Sequence, residues 1–178
     1  MKKLLLITLL ISSYSFAEGL KIAVIEGKTI LAQSEEGQKI NETIANKRDS
    51  LTQELMAMDQ KLEKEANELR SKARTISQEA LEAKQEAFYK AQRARENKAQ
   101  EAEADFKNFA NKTLAKFDTK LRTKLASWAE KNGLDVVSLK ETGEIIYASK
   151  TVDYTKQLID VLDTEYKQAH KPADHSKK

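Results

Sequence analysis

From residue 38 to residue 132 the chain runs for 95 residues without a glycine or a proline. Backbone reversals draw heavily on those two residue types, so this stretch cannot be a turn-rich sandwich or a run of short α/β units. As one helix it would reach roughly 140 Å, and a hairpin of two arms of roughly 70 Å each is the expected arrangement. Its first arm carries Leu51, Leu55, Met58, Leu62, Ala66, Leu69, Ala73, Ile76 and Ala80. They are spaced by threes and fours, a coiled-coil seam with one four-residue slip between residues 58 and 66. In the second arm Phe106, Phe117 and Trp128 lie eleven apart, as do Ala110 and Leu121, and Leu114 and Leu125. An eleven-residue repeat suits nearly straight helices, and this stripe with Phe109 reads as coiled-coil core.

The reversal carries no glycine and is placed by capping chemistry. Thr75 with Gln78 forms a capping box, and Ser77 is a second N-cap candidate. A turn near residue 78, within the range 74–82, sets Leu62 opposite Ala94, Leu69 opposite Ala87 and Ala73 opposite Ala83. It also brings Glu63 and Glu65 toward Lys90 and Arg93. Residues 80–104 hold eight alanines, so the distal apolar face is thin.

Met1-Lys2-Lys3, an apolar run over residues 4–11 and Ser15-Phe16-Ala17 read as a cleaved secretory signal peptide, residues 1–17. The run is too short for a permanent anchor, and no cysteine follows it to carry lipid. Loss of Lys2 and Lys3 takes the 31 basic side chains to near balance with the 28 acidic ones. Any electrostatic function must therefore lie in how charge is distributed. The absence of cysteine excludes disulfides, thiol catalysis and Cys-ligated metals. The two histidines, His170 and His175, stand in the last nine residues, where they are at most adventitious metal ligands. No metal, no cofactor and no enzymatic site is expected.

The remaining residues, 18–37 and 133–169, form the expected body, with residues 170–178 a disordered tail. Residues 20–25, 134–139 and 144–148 read as strands, the last two joined as a hairpin through Lys140-Glu141-Thr142-Gly143. Gly133 stops the long helix, and Asp153 caps a final helix buried through Leu158, Ile159, Val161, Leu162 and Tyr166. The fold class is α+β: a small β-rich body with a long antiparallel helical hairpin, residues 38–132, inserted between strands. So small a body with open sheet edges calls for self-association. Ile22, Val24, Val136, Val137, Ile145, Ile146 and Tyr147 are the candidate residues, with Tyr147 placed in the body core.

Arg70, Lys72, Arg74, Lys84, Lys90, Arg93, Arg95 and Lys98 stand against four acidic residues in the stretch 70–98, about +4 at each arm tip. Phe88 and Tyr89, in the alanine-rich stretch, are the apolar candidates for exposure. The segments Lys21-Ile22-Ala23-Val24-Ile25, Ser34-Glu35-Glu36-Gly37, Gly133-Leu134-Asp135-Val136-Val137 and Gly143-Glu144-Ile145-Ile146-Tyr147-Ala148-Ser149 resemble the Skp/OmpH family of periplasmic chaperones. So does Val152-Asp153-Tyr154-Thr155, and the resemblance runs to about Lys167.

The resemblance implies a homotrimer with a β-rich body and three helical arms around a cavity. It implies a periplasmic, ATP-independent holdase that keeps unfolded outer-membrane proteins soluble. Transient membrane or lipopolysaccharide contact is a further partner class, for which no residues are carried over. In this reading the basic tips and Phe88 and Tyr89 bind the client. The alternative is a structural envelope coiled coil that tethers or spaces folded partners. Nucleic acid is not an expected partner of an exported, nearly neutral chain.

Overall fold

A computed structural model of the chain describes residues 19–143 and 145–171. The segment read as a signal peptide, and the tail beyond residue 171, lie outside them. β1 (Ile22–Ile25) leads into α1 (Gly27–Gln33), α2 (Glu35–Lys72) and α3 (Gln78–Lys131). β2 (Val136–Leu139), two 3-10 turns (Lys140–Thr142 and Lys150–Val152) and α4 (Thr155–Ala169) complete the chain. The glycine-free stretch is the hairpin α2–α3.

Its arms are unequal, 38 and 54 residues, or about 57 and 81 Å. The reversal occupies residues 73–77, nearer the N-terminal end of the expected range, and α3 runs on past the root of α2 into the body. Ser77 is the working N-cap, its hydroxyl accepting from the Ala80 N–H at 3.3 Å. Thr75 does not cap; its hydroxyl donates back to the Lys72 carbonyl at 3.0 Å and closes the end of α2. The seam follows the heptads through Leu51, Leu55, Met58, Leu62 and Leu69, all half-buried, whereas Ala73 and Ala80 are exposed beside the turn.

The core lies where the foot of α3 meets the sheet, α1 and α4. Ala23, Ile25, Ile30, Leu121, Leu125 and Leu158 are buried there together with Phe117, Trp128, Ile159 and Leu162. The eleven-residue stripe thus ends in this body core and not only in a coiled-coil seam, because past the root of α2 its neighbours are β2, α1 and α4. Trp128 meets Tyr154 edge to face at 5.8 Å. α4 is locked to the start of α2 by Asp163, which accepts from the Glu35 N–H at 2.8 Å, and by Lys167 against Glu35 at 2.7 Å. Gly133 ends α3 at φ +60°, a left-handed conformation that glycine adopts without steric cost. Leu158, Ile159 and Leu162 carry the buried face of α4.

β1 and β2 pair in parallel, Ile22 opposite Val136 and Ile25 opposite Leu139. The helical hairpin is the crossover that parallel pairing requires. On its other side β1 is bridged by Asp153, and the Tyr154 N–H donates to the Val24 carbonyl at 3.2 Å. The expected β-hairpin is not formed: residues 145–149 lie outside any strand. The cause is Glu141, whose carboxylate accepts from the Lys28 N–H at 2.7 Å at the start of α1. That capture folds residues 140–142 into a 3-10 turn and directs the chain away from β2. Tyr147, expected in the body core, is 84% exposed, and Ile146 is 100% exposed. Asp153 serves the last helix from just ahead of its N-cap, Tyr154, accepting from the Thr155 N–H at 3.0 Å.

These carboxylates tie stability to pH. Burial pushes the Glu141 carboxyl up, but the N–H groups it accepts, led by that of Lys28, win and hold it below its ordinary 4.5. The hydroxyl and then the N–H of Thr155 hold Asp153 below its ordinary 3.8. A group with a lowered folded pKa contributes fully above its unfolded value and is lost as the pH falls through the folded one. The urea midpoint, read from Trp128 fluorescence, is therefore expected to be flat above about pH 5 and to fall below about pH 4. Glu141→Gln should make that acid limb shallower. An unchanged limb would show that the Glu141 contact carries no folding free energy.

Candidate functional site

The distal hairpin is where sequence and structure concentrate unusual chemistry. Arg70 and Lys72 sit on the last turn of α2, Arg74 in the reversal, and Lys84, Lys90, Arg93, Arg95 and Lys98 along α3. The structure sorts these eight cations into two groups. Arg95 grips Asp59 across the hairpin with two parallel bonds of 2.7 and 2.8 Å, a geometry that a guanidinium and a carboxylate match face to face. That bonding pushes the Arg95 pKa up and the Asp59 pKa down. Lys98 meets Glu54 at 3.0 Å, while Lys72 and Lys90 pair within their own helices with Glu68 and Glu86. The expected approach of Glu63 and Glu65 to Lys90 and Arg93 is not seen. Glu65 faces Lys61 one turn away and Lys90 faces Glu86, each an i, i+4 partner on its own helix.

Arg70, Arg74, Lys84 and Arg93 are exposed and make no ion pair with a described residue. Asp59, Glu54 and Glu68 enter from outside the 70–98 stretch and neutralise three of the other cations. The field is therefore narrower than the count of charges suggested, centred on the reversal and the first turns of α3. Closer to the body the arms are fastened by Arg48 over the Phe106 ring at 5.1 Å and by Lys120 with Glu36. Between the Arg95–Asp59 pair and the reversal, the two helices meet mainly through Leu, Ala and Phe88. Weak packing of this kind opens at low free-energy cost.

Phe88 is half-buried between the arms, and Tyr89 beside it is 61% exposed, with ring centroids 6.3 Å apart. Open grooves run along both flanks of Phe88. Among the described residues, no cluster of three or more His, Cys, Asp or Glu is placed to hold a metal ion. His170 stacks on Tyr166 at 4.1 Å; His175 lies outside the described residues.

At the other end of the molecule the body candidates divide. Val24 is buried, Val137 and Ile145 are half-buried, and Ile22 and Val136, opposite each other at the start of the two strands, are exposed together with Ile146 and Tyr147 of the later segment. Reading from sequence missed the residues that fix the site: Asp59 and Glu54 as neutralising partners, and Gln85 and Gln92 along one groove. Their signal was present only as positions on the seam side of each helix.

A family model described as "Outer membrane protein (OmpH-like)" matches residues 21–162. No curated protein matches the chain. The crystal structure of a proposed outer membrane chaperone (OmpH-like) from Caulobacter crescentus CB15 is similar, with a TM-score of 0.75 and 20% sequence identity. The likeness covers 82% of this chain and 85% of that one. At this identity it establishes a shared fold: a long helical hairpin on a small sheet.

Proposed function

The chain belongs to the OmpH-like outer membrane protein family, and from that premise we propose that it is a periplasmic, ATP-independent holdase for unfolded outer-membrane proteins. The chaperone role is supported by the family and by the description of the similar bacterial structure. The observation that carries the finer reading is the distal hairpin: four cations without an ion-pair partner among the described residues beside an exposed Tyr89, on a chain of nearly balanced charge. Outer-membrane barrels present alternating apolar residues when unfolded. Long-range attraction gathers an acidic chain of that kind, and many weak apolar contacts hold it.

The reading includes a homotrimer. Ile22, Val136, Ile146 and Tyr147 leave apolar surface at the body that a second and third copy would cover, and three arms would then enclose one client. No step of this activity consumes nucleotide or makes a bond. The deciding experiment mixes the processed protein with a urea-unfolded outer-membrane barrel, diluted without nucleotide, and follows turbidity and light-scattering mass. A soluble complex of one client with three chains is the expected result. A protein that leaves the client to precipitate while binding a folded partner is a tether, and the holdase reading then falls.

A further inference from the structure

The two flanks of the distal hairpin differ in chemistry. On one flank the groove beside Phe88 is lined by Lys61, Lys64, Glu65, Glu68 and Lys84, charges of both signs. On the other, a groove of about 480 Å³ is walled on α2 by Ala66, Leu69, Arg70 and Ala73. Its α3 wall is Leu81, Gln85, Phe88, Tyr89 and Gln92. The spacings 66, 69, 70, 73 and 81, 85, 88, 89, 92 each trace one helical face, so the groove is a continuous strip and not an isolated dent. Arg70 is its one charged wall residue, and Tyr89 stands open to solvent at its lip.

We propose that this second flank is the client-reading face of each arm, and that it seats an aromatic side chain flanked by a carboxylate on an extended, unfolded strand. Leu69, Leu81 and Phe88 form the apolar floor, and Tyr89 packs on the aromatic ring from the side. Arg70 meets the neighbouring carboxylate, a charge-assisted bond for which the groove offers no internal competitor. Gln85 and Gln92, seven residues apart on one stripe, offer both donors and acceptors to the unpaired main chain of a strand. Main-chain recognition of that kind is indifferent to sequence, and the aromatic–acidic pair supplies the selectivity. The opposite flank lacks this match: carboxylates of Glu65 and Glu68 stand among its lysines, and neither a tyrosine nor a glutamine lines it.

The assignment deepens the holdase reading and rests on it for its biological meaning, but its test is separate. A fluorescein-labelled peptide of alternating Trp and Asp is titrated with the processed protein, beside versions with Trp→Ser and Asp→Lys replacements. Wild type should bind the parent peptide about tenfold more tightly than either version. Tyr89→Ser and Arg70→Gln, both at exposed side chains, should each weaken the parent peptide by about tenfold. Lys61→Gln and Lys64→Gln, on the other flank and outside the set of tip cations, should change it less than about twofold. Equal losses from both flanks would overturn the assignment in favour of undirected tip charge. Absence of peptide binding by a protein that still holds the barrel soluble would overturn it and leave the holdase reading standing. Peptide binding with the stated pattern, by a protein that fails to hold the barrel, would support the groove and sink the holdase.

Discussion

Gly37→Ala is expected to lower the unfolding free energy by about 3 kcal/mol, the upper end of what overpacking a tight site costs. In an ordinary exposed helix the same change stabilises by about 1 kcal/mol, because glycine loses more chain entropy on ordering. Geometry reverses the sign here. A methyl group on Gly37 would stand 2.3 Å from the Leu31 carbonyl oxygen, 2.7 Å from its carbon and 2.8 Å from its Cα. All three are backbone atoms, which cannot swing aside as a side-chain tip does.

Nor can Leu31 retreat. Its carbonyl is held by the Asn41 side chain at 3.1 Å, and its neighbour Ile30 is fully buried. Between them Ser34, 1% exposed, accepts from the Gly37 N–H at 3.1 Å and fastens the corner from α1 to α2. The methyl group therefore pushes α1 off α2 and opens the core beside Ile30. Urea melts read by Trp128 fluorescence report that core directly, whereas circular dichroism is dominated by the hairpin. Gly27→Ala is the control, since its methyl group would meet only the Glu141 carboxylate at 3.4 Å. It should change stability by less than about 1 kcal/mol. Equal midpoints for wild type and the Gly37 variant would show that the corner is looser than these distances state.

The long-range plan was legible because it rests on strong, repetitive signals. The glycine- and proline-free run could be little else than a hairpin, and the heptads at Leu51, Leu55, Met58, Leu62 and Leu69 chose its seam. Ser77 against Thr75 was not decidable from composition, since both offer a hydroxyl at suitable spacing; Thr75 found the Lys72 carbonyl first. The third strand failed for a different reason. Residues 144–148 carry a genuine β-type pattern, but a carboxylate at Glu141 found backbone N–H groups on α1, more than a hundred residues earlier in the chain. No local pattern encodes that meeting. The tip was legible as a charge cluster and illegible as a site, because counting charges cannot separate Arg95, held by Asp59, from Arg70, which is not. The second face emerged only when α2 and α3 were laid side by side.

Replacing Arg70, Arg74, Lys84 and Arg93 together by glutamine is expected to slow capture of an unfolded acidic barrel by about tenfold to a hundredfold at low ionic strength. These four cations project from exposed positions, so their removal should leave the melting curve of the protein unchanged. They are also the ones whose fields no described ion-pair partner cancels, and steering acts through uncancelled charge at long range. Removing them takes residues 70–98 from eight cations against four anions to four against four, and in the proposed trimer the loss is met three times. Stopped-flow quenching of a labelled client measures the association rate, and dilution of the preformed complex measures release. Release should change less, because in the proposed reading retention rests on apolar contacts near Leu69, Phe88 and Tyr89. Salt separates the two further: wild-type capture should slow between low salt and 0.15 M, where screening sets in within about 8 Å, while the variant's rate stays level. Removing the Arg95–Asp59 and Lys98–Glu54 pairs whole, by Arg95→Gln, Asp59→Asn, Lys98→Gln and Glu54→Gln, is the control. It takes away two cations together with the carboxylates that cancel them, so the net charge of the arm is unchanged. It should loosen the hairpin while leaving the initial capture rate within about threefold of wild type. If the quadruple variant captures as fast as wild type in low salt, attraction by the tips is not how a client first meets this protein. Apolar contact would then have to account for capture as well as retention.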